Sequence, residues 1–327
     1  LRTLTVDRDH IHIGIHPDYP VKETVAFARA TEAAGFGGLW IADSQDLFRD
    51  CVVSTTAVAL ATDAMALGIG VTNPVLRHPS VLAGAAASLD EMVPGRLTLG
   101  LGSGETAVQT AGRQPATIAQ MEDALIACRA YLDAPWGGPK HAVPLVLAAT
   151  GPRALALAGR RADGVYMKMG CDEGLLTWAS EQVGAAGEAV GRRGGCSTTL
   201  LLPVGLGESL EEAYREVAGF AAATAGAVQQ AVPRGIVAPE LQGDLDTVAE
   251  MVGQARRGDS YARWLDDPSR IGELPRRVLD MFCIASDDVG EVAERLRALP
   301  VDLVVVPLLT GRRDEQLGRL AAVLSRI

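Results

Sequence analysis

The chain of 327 residues has no Lys/Arg run longer than pairs such as Arg192-Arg193 and Arg312-Arg313, and its formal net charge is −10. Nucleic-acid binding needs a basic footprint, so no such partner is expected. An uncharged apolar run of about 18 residues, the length that spans a bilayer, is absent. The opening LRTLTVDRDH lacks the apolar core of a signal peptide. We therefore expect a cytoplasmic protein with no membrane partner. Because the chain starts at Leu1, a few residues are expected to precede it. Five cysteines, Cys51, Cys128, Cys171, Cys196 and Cys283, are scattered without a CxxC, which suits a reducing compartment.

Chemical motifs are equally sparse. There is no HExxH, no CxxC pair and no ligand-spaced Asp/Glu/His cluster, and His10, His12, His16, His78 and His141 are dispersed, so no metal is expected. Neither a GxSxG elbow nor a GxxxxGK[ST] loop occurs, which argues against a serine hydrolase of that type and a P-loop nucleotidase.

What the chain does contain is a repeat of short apolar runs and longer segments of helical period, with 48% hydrophobic and 21% charged residues. Strands are expected at IHIGIH (11–16), GLWIAD (38–43), ALGIGV (66–71), RLTLGLG (96–102), PLVLAA (144–149), GVYMKM (164–169), TTLLLPVG (198–205) and VDLVVVP (301–307). Helices are expected at 21–35, 54–64, 80–92, 119–132, 152–162, 172–190, after Glu208 and at 313–326. Eight such units are the count of a (β/α)₈ TIM barrel in one domain over 1–327; a doubly wound open sheet is the other α/β arrangement. Residues 208–300 are expected to form a helical insertion between the seventh and eighth strands that roofs the mouth, a separate second domain being the alternative.

In a barrel of this kind the site lies at the carboxyl ends of the strands. Those exits read Asp43-Ser44, Gly70-Val71-Thr72-Asn73, Gly102-Ser103-Gly104-Glu105, Ala149-Thr150-Gly151-Pro152-Arg153 and Met167-Lys168-Met169. Glu105 stands out as a carboxylate after a glycine turn. The run from Ala149 to Arg153 leaves free N–H groups at a helix start, which either accept a phosphate or mark an ordinary cap. His12 and His16 share parity on the first strand, as catalytic groups or as core and rim histidines satisfied by their neighbours.

LGIGVTNPVLRHPSVLAGAAASLDEMVPGRLTLGLGSGE, with AGFGGLWIAD, ATGPRALALAGRRADGVYM and VGEVAERLRALPVDLVVVP, resembles the bacterial luciferase-like superfamily of flavin and deazaflavin enzymes. Within it the pattern is similar to methylene-tetrahydromethanopterin reductase and its relatives. The resemblance implies a (β/α)₈ barrel that binds coenzyme F420 or FMN over a bulge in the third strand, with a cis peptide at Gly70-Val71. It places Gly70, Val71, Thr72 and Asn73 at the ring and its pyrimidine edge, and Ala149, Thr150, Gly151, Pro152 and Arg153 at the phosphate. Gly102, Ser103 and Gly104 complete the cofactor set, Glu105 becomes the acid/base, and Asp43 is expected to bond the ring or the substrate.

One departure stands in this sequence: many deazaflavin relatives have Asp-His after the second strand, where this chain has Asp43-Ser44. The function implied is hydride transfer between F420 and a small-molecule substrate. The alternatives are an FMN-dependent monooxygenase and a flavin-binding barrel without turnover. Tyr261, Trp264 and Trp178 are further expected contacts in the roof, and a homodimer is implied by analogy.

Overall fold

The computed structural model describes residues 6–133, 143–192, 194–257, 274–308 and 312–327. Seven strands come in order: β1 (Ile11–Ile15), β2 (Gly38–Ile41), β3 (Ala66–Thr72), β4 (Leu97–Leu101), β5 (Leu145–Ala149), β6 (Gly164–Met167) and β7 (Ser197–Leu201). Three more follow: β8 (Val204–Leu206), β9 (Ile284–Ser286) and β10 (Leu303–Leu308). β1 to β7 and β10 close a barrel in the order β1-β10-β7-β6-β5-β4-β3-β2. All of its pairings are parallel. The eight expected barrel strands are all present, and the open sheet is excluded.

The helices between them are α1 (Val21–Ala33), α2 (Cys51–Ala59), α3 (Pro79–Met92), α4 (Glu105–Thr110), α5 (Ile118–Leu132), α6 (Pro152–Arg161) and α7 (Glu173–Glu188). Beyond β7 come α8 (Leu210–Ala231), α9 (Pro239–Arg257), α10 (Arg276–Phe282), α11 (Val289–Arg297) and α12 (Arg313–Leu324). Several starts are set by short polar side chains that satisfy orphan N–H groups. Asp50 accepts from Val53 N at 2.9 Å, Asp172 from Leu175 N at 2.9 Å, and Thr117 with Gln120 forms a capping box.

The expected seventh strand ran too far. TTLLLPVG is one apolar run, but Pro203 has no N–H to continue the ladder. The barrel strand therefore ends at Leu201, and 204–206 becomes β8, which pairs with β9 in a separate two-stranded parallel sheet. Pro203 still contributes its carbonyl, which accepts from Ile284 N at 3.1 Å.

Apolar residues divide into two populations. Odd-numbered strand positions such as Ile13, Leu39, Ile69, Leu99 and Leu147 pack outward against the helices. The alternate positions point into the barrel, even-numbered on β2, β5 and β6 but odd-numbered past the β3 bulge and on β7 and β10; there Trp40, Val146, Tyr166 and Val305 form a second cluster joined by Val71, Ala148, Leu201 and Leu303. The interior is thus a filled core rather than a pore. His12 belongs to it: Trp40 Nε1 donates to His12 Nδ1 at 2.9 Å, and His12 Nε2 lies 3.3 Å from the Asp9 carbonyl. Nδ1 must accept, so the proton sits on Nε2 and the ring is neutral. Burial pushes its pKa down to about 4. His12 is therefore a core histidine satisfied by its neighbours.

The insertion reaches the strand exits on one side of the mouth. Lys168 Nζ, just after β6, lies 4.4 Å from the centroid of Phe220 on α8. A side chain at Gly151, after β5, would come within 3.4 Å of the Ala231 carbonyl at the end of α8. Tyr261 and Trp264 lie outside the described residues; Trp178 is half-buried against the outer core. No helix among the described residues is long and apolar enough to cross a membrane.

Candidate active site

The carboxyl ends of β2, β3 and β4 build one side of the mouth. The Gly70-Val71 peptide is cis, and the β3–β4 ladder shifts register between Ile69 and Thr72. Beneath it lies Trp40: a β-carbon on Gly70 would stand 2.6 Å from Trp40 Cε3, and one on Gly68 would stand 2.2 Å from Cδ2. Tyr166 packs on the indole, with ring centroids 5.1 Å apart and the planes tilted by 37°. Val71 lies along β4, because β-carbons on Gly100 and Gly102 would each come 2.7 Å from one of its methyls. The ladder resumes where Gly102 N donates to the Thr72 carbonyl at 2.8 Å. Gly70 and Val71 are both part-exposed, so the bulge presents a small apolar surface to the mouth over an aromatic floor.

Thr72 and Asn73 are buried, at 0% and 1% exposure, and both are engaged internally. Thr72 Oγ1 donates to Asp43 Oδ2 at 2.6 Å. Asn73 Oδ1 accepts from Val75 N at 3.2 Å and Leu76 N at 2.9 Å, turning the chain toward α3. Gly104 is at φ +78°, where L side chains are disfavoured, and a β-carbon there would strike Asn73 Cβ at 2.8 Å. That close approach brings the β3 and β4 exits together.

Asp43 is engaged within the chain. Its side chain is only 1% exposed, and its carboxylate is occupied by Arg77 Nη1 at 2.5 Å, Thr72 Oγ1 at 2.6 Å and Gln45 Nε2 at 3.0 and 3.1 Å. It pins the exits of β2 and β3 together. Ser44 beside it is also buried, at 4% exposure. Arg77, which sequence reasoning passed over, bridges Asp43 and Asp50, its Nη2 reaching Asp50 Oδ2 at 2.6 Å. Only its place four residues after Asn73, in the turn after a strand, signalled a link.

Glu105 and Ser103 are exposed, and Glu105 is the first residue of the short α4, whose cap is Gly104. A carboxylate suits the positive end of a helix. Across the mouth, α6 begins at Gly151 without a side-chain cap and with Pro152 in its first turn. Thr150 and Gly151 are part-exposed, Arg153 is exposed, and Ala149 is buried. His16, at the top of β1, stacks on Phe48 with centroids 4.9 Å apart. Burial, and then the charge of Lys168, push its imidazole below the usual range. Its fate differs from that of His12 because it sits four residues nearer the mouth.

A cavity of about 490 Å³ lies on the outer flank, where Val75, His78 and Arg113 face Gln120 and Asp123 of α5. The bulge and the α6 start are elsewhere. Among the described residues no three His, Cys, Asp or Glu side chains are grouped to hold a metal.

A closed parallel barrel with a bulged third strand, and a helix start without a side-chain cap after the fifth, frames the candidate site. Residues 3–305 match the family described as luciferase-like monooxygenase, and the chain belongs to that family. The 5,10-methylenetetrahydromethanopterin reductase of Methanolobus tindarius is 33% identical over 195 residues, 54% of this chain and 59% of that protein. The F420-dependent hydroxymycolic acid dehydrogenase of Mycobacterium tuberculosis is 30% identical over 178 residues, 46% of this chain and 49% of that protein. The chain thus spans between about half and three fifths of the length of these curated relatives. In fold it is similar to the coenzyme F420 dependent tetrahydromethanopterin reductase from Methanopyrus kandleri. That likeness has a TM-score of 0.78 at 19% identity and covers 98% of this chain and 99% of the other.

Proposed function

We propose that the chain is an F420-dependent oxidoreductase that transfers a hydride between the deazaflavin and a small organic substrate. The observation that carries this reading is the β3 exit. There Gly70 and Val71 offer a part-exposed seat over Trp40, held by the glycines of β4. The F420-dependent names of the curated relatives support the choice of cofactor. The residues present fit such a group: an apolar seat for a ring, and at the start of α6 a helix N-terminus without a side-chain cap, with Arg153 beside it, for a phosphate.

Bound there, the deazaflavin supplies the two-electron chemistry, and the protein supplies position and electrostatics. Gly70 and Val71 orient the ring, Gly102 and Gly104 allow the backbone to come close, and Ser103 adds a hydroxyl at the rim. Thr150, Gly151, Pro152 and Arg153 take the phosphate. Glu105 holds or delivers the proton that accompanies hydride transfer. The aromatic floor and the α8 roof restrict water on one side of the mouth. Ser44 stands where the resemblance leads one to expect histidine and offers a hydroxyl but no imidazole, so identity of substrate with those relatives is not assumed.

Titration of the purified protein with F420 and with FMN tests the reading. F420 is expected to bind and FMN to bind weakly; tight FMN binding without affinity for F420 would overturn it in favour of a monooxygenase. Glu105→Gln is expected to lower turnover by about 100-fold, the usual worth of a positioned acid or base, with F420 affinity nearly unchanged. Full turnover in that variant would remove Glu105 from the mechanism. We further propose a homodimer through the outer faces of α2 and α3. Val53, Leu60, Val81 and Met92 are exposed there at 57%, 71%, 60% and 44%.

A further inference from the structure

We propose that Arg77 is a positioning residue for the cofactor, and that Asp43 acts as its fixed counter-ion rather than as a proton carrier; this rests on the cofactor reading above. The segment from Thr72 to Arg77 carries the bulge's outer end, and it is pinned at three points. Thr72 Oγ1 donates to Asp43 at 2.6 Å. Asn73 Oδ1 folds the turn by accepting from Val75 N and Leu76 N. Arg77 then closes the loop on two carboxylates, Asp43 at 2.5 Å and Asp50 at 2.6 Å.

Each carboxylate belongs to a different element. Asp43 leaves β2, while Asp50 caps α2 through Val53 N at 2.9 Å. One guanidinium therefore ties the exits of β2 and β3 to an outer helix, with its side chain only 13% exposed. A lysine cannot reproduce this, because a single ammonium lacks the planar fork that meets two acceptors at fixed angles. The Asp43 carboxylate is spent on Arg77, Thr72 and Gln45, which leaves proton transfer to Glu105. Gly70 and Val71, which immediately precede Thr72, take their orientation from this lock.

The test compares wild type with Arg77→Lys, Arg77→Met and Asp50→Asn. Each is measured for thermal midpoint, for F420 and FMN dissociation constants, and for the visible circular dichroism of the bound cofactor. Arg77→Lys is expected to remain folded, to weaken cofactor binding by about tenfold and to change the induced dichroism, as loss of a supporting contact does at a preorganised site. Asp50→Asn keeps the inner arm and is expected to bind within about threefold of wild type. If Arg77→Lys binds with wild-type affinity and an unchanged band, Arg77 is only structural and the proposal fails while the cofactor reading stands. If wild type binds FMN alone, the series is read with FMN and the same outcomes decide. Wild type that binds neither cofactor overturns both.

Discussion

Replacing Gly102 by alanine tests how the β3 bulge is held. An added β-carbon at Gly102 would stand 2.7 Å from Val71 Cγ2 and 3.4 Å from Ala148 Cβ. The second distance is ordinary contact, but the first is not, so Val71 must move. It has little freedom: its other methyl would lie 2.7 Å from a β-carbon on Gly100, and a β-branched side chain keeps few χ1 choices. Since the φ of Gly102 is outside the left-handed region, the cost is packing alone, about 1–3 kcal/mol for an overfilled site.

Val71→Ala alone removes two methyls from a part-exposed side chain, a loss of about 1 kcal/mol. In the double variant the new methyl occupies the space that Val71 vacates. Its cost should then fall below the sum of the singles by about 1–2 kcal/mol, a coupling expected of residues in contact. Urea midpoints of the four proteins measure this, and F420 titrations show whether the ring seat moves with it. Gly184→Ala on α7, where a β-carbon meets nothing within 4 Å, is the control and should be neutral or stabilising. A strictly additive cycle, or a neutral Gly102→Ala, would refute the claim that Val71 rests on the β4 glycines.

Three further outcomes are expected. Arg153→Gln should weaken F420 binding by about threefold to tenfold at low salt, with the difference shrinking as salt screens an exposed charge; an affinity gap insensitive to salt would place the phosphate elsewhere. His12 has its pKa lowered from 6.5 to about 4 by burial, so between those values the unfolded chain takes up a proton that the folded chain refuses. Stability should fall by up to about 3 kcal/mol as pH drops through that window, with no further loss from this group below it, and His12→Gln should flatten that part of the urea-midpoint profile. Leu60→Glu should shift the light-scattering mass from dimer toward monomer if α2 and α3 form the interface; an unchanged mass would exclude that face.

Much of the barrel was legible because its strands are short apolar runs bounded by turn residues, and β1 to β6 fall within two residues of their expected limits. Errors arise where a distant partner decides. The β8–β9 pairing joins Val204 to Ile284, a separation that no local window spans. α2 begins at Cys51, three residues before its expected start, because Asp50 caps it while Arg77 holds Asp50 from another loop. α4 was missed since ETAVQT is one short turn launched from Gly104, and a glycine cluster reads as loop. The strand-exit position of Asp43 was legible, but its partners Arg77, Thr72 and Gln45 were not, because Arg77 and Thr72 come from a later loop and strand.

The glycines of ALGIGV show why the interior could not be inferred from one strand. Gly68 and Gly70 suggest a weakened strand with a loose exit, yet both leave room for the Trp40 indole of the neighbouring strand. The same exchange recurs around the barrel: Gly38 faces the His12 ring, Gly100 and Gly102 face Val71, and Gly14 faces Val305. A barrel of this size fills its centre only if large and small residues alternate between neighbours. A glycine in one strand is therefore explained by the bulk of another, and the pairing becomes visible only when closure brings Trp40 opposite Gly68. Enlarging either partner displaces the other, so the aromatic floor and the strand above it constrain each other's sequence.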